Sequence, residues 1–87
     1  MTLVYAKSRT PVIRVGFSVS TRVGNAVQRN RAKRRMRACI TPMAEHLKGG
    51  FNIVFIAKRE VLDAPFSELQ KQMETLLHRT GVWETEA

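Results

Sequence analysis

The sequence has a single cysteine, Cys39, and so cannot close an internal disulfide. A chain without such staples suits a reducing compartment, and a cytoplasmic setting is expected. Acidic residues are missing from the first half: none precedes Glu45. No apolar run approaches the roughly 20 residues needed to cross a bilayer, which sets a membrane-spanning role aside. Histidine is scarce: His46 and His78 lie far apart and fit no metal-ligand spacing. The acids that do occur are scattered, with no pair placed for general acid and base work. Ser18 and Ser20 have no recognisable base partner, and no glycine-rich nucleotide loop is present. The ordinary constellations of hydrolytic, metal and nucleotide chemistry are therefore lacking. The chain alone is expected neither to catalyse a reaction nor to bind a cofactor.

What is present is positive charge, unevenly placed. The 87 residues fit one domain, 1–87, and carry a formal net charge of +8. Residues 1–44 hold ten Lys and Arg and no acid; residues 45–87 hold five Lys and Arg and seven acids. One part of the domain is a positive pole, which calls for a polyanionic partner. An anionic membrane surface would need an amphipathic helix with its apolar face free. Here that face is required for the core.

The pole centres on Arg29 to Arg37, where Arg29, Arg31, Lys33, Arg34, Arg35 and Arg37 make six cations in nine positions. A basic run is often a disordered arm. Periodicity argues otherwise: Ala32, Met36, Cys39, Ile40 and Met43 fall on one stripe at helical spacing. Asn25 and Gln28 form a capping-box pattern, so a helix is expected from about Ala26. Asn30, Arg34 and Arg37 then point roughly opposite the stripe, with Arg31 close by. Arg29 and Lys33 flank its edge, where the helix meets its support.

The rest reads as alternating elements. Leu3 to Ala6 is a short strand. Val12 to Ser20 alternates strictly, with Ile13, Val15, Phe17 and Val19 on a covered face. Tyr5, Arg14 and Ser18 are candidates for an open sheet face. Thr41 is expected to cap a short turn with Pro42 at its first position, continuing to Leu47. Phe51 to Lys58 is nearly continuously apolar and is expected to be buried on both faces. Ser67 and Gln70 suggest a second capping box, and Leu69, Met73, Leu76 and Leu77 the stripe of a second helix ending near Gly81. Val82 to Ala87 is a tail whose Trp83 is expected to fold back. The fold class is α+β: a two-layer sandwich with both helices on one face of a mixed sheet.

Three stretches carry a resemblance. Arg14-Val15-Gly16-Phe17-Ser18-Val19-Ser20, Val23-Gly24-Asn25-Ala26-Val27 and Arg29-Asn30-Arg31-Ala32-Lys33-Arg34-Arg35-Met36-Arg37 together closely resemble the bacterial ribonuclease P protein component. The resemblance implies a cytoplasmic ribonucleoprotein, an endoribonuclease whose RNA subunit, with Mg2+, removes the 5′ leader of precursor tRNA while the protein assists. It implies that Arg29, Asn30, Arg31, Lys33, Arg34 and Arg37 contact RNA. It makes Tyr5, Arg14, Phe17 and Ser18 candidates for a cleft that receives the leader, although alternation puts Phe17 on the covered face. It also implies a left-handed βαβ crossover, shared with a ribosomal protein domain and with domain IV of an elongation factor. The right-handed form is the general rule. Family members usually carry an N-terminal helix and a further strand ahead of the point where this sequence starts. One wall of the cleft is therefore expected to be missing, leaving a sheet edge open to self-association. The competing reading is a ribosomal or general RNA-binding module of the same fold, without a role in cleavage.

Overall fold

A computed structural model describes residues 1–84. Three strands, β1 (Thr2–Lys7), β2 (Arg14–Ser18) and β3 (Phe51–Ile56), and two helices, α1 (Ala26–Ile40) and α2 (Phe66–Thr80), follow in the order β1, β2, α1, β3, α2. The sheet order is β1-β3-β2, with β3 antiparallel to β1 and parallel to β2. The parallel pair is joined through α1, as a parallel pair requires a crossover. The α+β class, with a mixed sheet and two helices, is as the sequence implies.

Residues paired across strands share a sheet face, so the register assigns the two faces. Ile53 and Phe55 of β3 are fully buried beneath the helices. Their partners Tyr5, Val15, Leu3 and Phe17 stand on that same side. The opposite face carries Thr2, Val4 and Ala6, then Asn52, Val54 and Ile56, then Arg14, Gly16 and Ser18.

This corrects two expectations. β3 is not buried on both faces: Val54 and Ile56 are 38% and 39% exposed. A continuous apolar run does not reveal whether a second layer exists to cover it. Tyr5 does not share the open face with Arg14 and Ser18; it stands on the helix side, its ring 6.4 Å from that of Phe51. It is still 48% exposed, because it lies beyond the cover of the helices.

The core forms where the two stripes meet β3. α1 contributes Ala32, Met36, Cys39 and Ile40, and α2 contributes Leu69, Met73 and Leu77, with Leu76 half-buried. Val61 and Leu62, in a 3-10 turn over Arg59–Leu62, close the sandwich. Burial of such side chains is worth about 1.5–3 kcal/mol each, which is what fixes α1 on the sheet despite its charge.

Helix ends follow local chemistry, with two departures. Thr41 does not cap the next turn; its hydroxyl donates to the Arg37 carbonyl at 2.8 Å, closing α1 instead. The 3-10 turn Thr41–His46 begins without a side-chain cap. At α2 the Ser67–Gln70 capping box does not form. Pro65 occupies the cap position and starts the helix two residues before Ser67 would. Gly81, at φ 77°, ends α2 in the left-handed conformation that favours glycine. Of the expected tail, Val82 to Glu84 fold back and residues 85–87 lie outside the described residues.

Candidate nucleic-acid interface

α1 starts as its sequence dictates. The Asn25 side chain accepts from the Gln28 N–H at 2.9 Å, and Gln28 Oε1 accepts from the Asn25 N–H at 2.9 Å. This reciprocal box satisfies two of the amides that a helix start leaves free. It also fixes the phase of the helix, and hence which cations face the core and which face out.

The phase sorts the basic run into three groups. Asn30, Arg31 and Arg34 are exposed on the outward row. Val27, 77% exposed, heads that row one turn earlier, a place its apolar character did not suggest. Arg29 and Lys33 are half-buried along the edge, as expected, and Arg29 Nη1 donates to the Gly24 carbonyl at 2.9 Å. Arg35 turns inward. Its guanidinium donates to the carbonyls of Leu62, at 2.6 Å, and of Ala64, holding the turn before α2 against α1.

Arg37 links the helix to the sheet. It is exposed, but its guanidinium carbon lies 5.9 Å from the centre of the Phe17 ring, within reach of a cation–π contact. Phe17 in turn stacks on Phe55 at 6.1 Å. The four cleft candidates therefore divide in pairs. Phe17 and Tyr5 belong to the helix side, Arg14 and Ser18 to the open face. They do not form one surface.

The field over α1 is uncompensated. The ion pairs among the described residues join the N-terminus to Glu60, His46 to Glu45 and His78 to Glu74, and none engages a Lys or Arg. Cys39, on the buried stripe, is a thiol whose proton is held more tightly than usual. Burial disfavours the thiolate, and the nearby Arg35 charge offsets this only in part. Among the described residues no three His, Cys, Asp or Glu side chains come together as a metal cage.

With this geometry in hand, comparison with known proteins is decisive. The Ribonuclease P family model matches residues 1–81. The chain belongs to the Ribonuclease P family. It is 46% identical over 78 residues to the ribonuclease P protein component of Chloroflexus aurantiacus, covering 88% of this chain and 58% of that protein. It is 42% identical over 73 residues to the component of Symbiobacterium thermophilum, covering 84% and 64%. The chain thus spans less than two thirds of these relatives. Among solved structures, the RNase P protein of Staphylococcus aureus superposes with a TM-score of 0.80 at 28% identity, over 94% of this chain and 75% of that one. The RNase P protein of Thermotoga maritima gives 0.79 at 25% identity, over 88% and 74%. The three-stranded mixed sheet with its two helices is thus the fold of these ribonuclease P proteins.

Proposed function

We propose that this chain is the RNA-binding protein subunit of ribonuclease P, working with a catalytic RNA that removes the 5′ leader of precursor tRNA. The observation that carries this reading is a capped, core-anchored helix whose outward cations meet no carboxylate among the described residues, in a chain that belongs to the Ribonuclease P family. Asn30, Arg31 and Arg34 face the RNA subunit. Each arginine neutralises a phosphate and releases a counterion on binding, which supplies affinity without reading sequence. Asn30 is the one neutral polar side chain in the row and hydrogen-bonds a base or sugar edge. Val27 packs on a ribose or base beside them.

Arg29, Lys33 and Arg37 line the margin between α1 and β2, with Phe17 as the aromatic floor under Arg37. Single-stranded leader runs along this margin, where phosphates meet cations and a base meets a ring edge. Arg14 and Ser18 hold a more distant part of the RNA on the open face, and Tyr5 contacts it from the end of β1. Mg2+ enters with the RNA of the holoenzyme, where it supplies the chemistry of leader removal. β1 and β2 are both edge strands, and the unpaired edge of β1 supports association between copies at high concentration.

The test is reconstitution. The chain is combined with a bacterial ribonuclease P RNA and precursor tRNA at limiting magnesium. Stimulated release of the leader is expected, with no cleavage by protein alone. RNA binding without stimulation would instead assign a general RNA-binding module of the same fold. Cleavage by the protein without RNA would overturn the reading.

A further inference from the structure

A cluster at the C-terminal end of α2 lies outside the residues assigned to RNA above. Trp83, the sequence's single tryptophan, stacks with two imidazoles. The ring of His46 stacks on it at 4.9 Å between centroids and 15° between planes, and that of His78 at 4.5 Å and 27°. The backbone closes around the same point. Leu47 and Trp83 form an isolated antiparallel bridge. The Lys48 N–H donates to the Val82 carbonyl at 2.8 Å, the Glu84 N–H to the His46 carbonyl at 2.6 Å, and the Trp83 N–H to the Leu77 carbonyl at 3.4 Å. Val82 beneath the bridge is fully buried.

Each imidazole also has a carboxylate beside it. His46 Nε2 is 3.4 Å from Glu45 Oε1, and His78 Nε2 is 3.7 Å from Glu74 Oε1. Both histidines are roughly half exposed, so protons reach them freely. We propose that the His46–Trp83–His78 stack is a proton-responsive clasp, which ties the segment after α2 to the 3-10 turn after α1 and tightens as the imidazoles become charged. An imidazolium gains twice from this position. It lies against the electron-rich face of the indole, and it forms an ion pair with its own glutamate. The neutral ring keeps only the stacking contact. The other charged side chains on these segments are Arg79 next to His78, Lys48 after the bridge, and Glu84 beyond Trp83. All three are exposed to solvent. The clasp grips where α1 hands over to β3, so charging it stiffens the support of the basic helix.

Two readouts test this without any RNA. Charged imidazole quenches indole emission on contact. Emission from Trp83 is therefore expected to fall, reversibly, between about pH 8 and about pH 5, where imidazoles ordinarily change charge. The Lys48 amide reports the clasp itself. Its exchange protection, corrected for intrinsic pH dependence and taken relative to the amides of β3, is expected to rise about two- to fivefold per imidazole charged. His46→Gln with His78→Gln abolishes both responses, and Trp83→Phe abolishes the rise in protection. Relative protection that is flat with pH in the wild-type chain overturns the proposal, whether or not the variants fold. An unchanged pH response in the doubly substituted chain overturns it as well.

Discussion

At the residue scale, six neighbouring cations have different fates. Arg35 holds two carbonyls that lie 27 and 29 residues away in the chain, while Arg31 and Arg34 hold nothing among the described residues. Arg35→Ala is expected to lower stability in urea by about 1.5–3 kcal/mol, the range for hydrogen bonds to a charged group. It should leave the salt dependence of RNA binding nearly unchanged. Arg31→Ala or Arg34→Ala should do the opposite, with stability within about 0.5 kcal/mol of wild type and a salt slope shallower by roughly one counterion. Composition alone could not separate these arginines, because only the distant turn at Leu62 and Ala64 distinguishes them. Cys39 offers a second check. Because burial holds its proton on, the folded protein should react negligibly with a thiol reagent at mildly alkaline pH and fully once unfolded. The linkage has a definite sign: the unfolded chain loses the thiol proton first, so stability falls as pH climbs above the ordinary thiol range.

At the scale of elements, α1 was legible as a capped, docked helix because those signals are local, whereas the inward turn of Arg35 and the place of Arg37 over Phe17, away from the outward row expected for it, depend on partners elsewhere in the chain. The Asn25–Gln28 box, the stripe from Ala32 to Ile40 and the outward row all follow from spacing within one helix. Asn25→Ala is expected to cost about 1 kcal/mol of stability, measured by denaturant unfolding. Met36→Asp, which buries a charge without a partner, should leave the chain unfolded by circular dichroism. β3 was legible as a strand but not in its surroundings. Val54 and Ile53 look alike in sequence, yet only Ile53 lies under helices. Ile53→Ala should therefore cost about 2–5 kcal/mol, whereas Val54→Thr should stay within about 0.5 kcal/mol. Tyr5 was misplaced for a related reason. Which face a strand residue takes depends on its register with β3, and nothing in Leu3 to Ala6 specifies that pairing. The stacking of His46 and His78 on Trp83 was equally invisible, since it joins a turn, a helix end and the residues beyond it.

For the whole molecule, the chain's halves interleave in one sandwich, and the positive pole in space is α1, whose outward cations join no ion pair among the described residues. Its partner should bind with strong salt dependence, and raising ionic strength should weaken association far more than it weakens folding. The order β1-β3-β2 has a separate consequence. The strand that joins the other two is the last to be translated, and β1 and β2 do not touch each other in the finished sheet. A growing chain that ends before Phe51 therefore has no ladder between β1 and β2 and lacks the central strand on which the apolar stripe of α1 packs. Until that strand leaves the ribosome, residues 1–50 lack the strand that joins β1 to β2, and their excess of Lys and Arg lies beside a surface made of RNA. Nascent chains stalled before and after β3 should differ abruptly in protease resistance, as one event and not as a gradual gain.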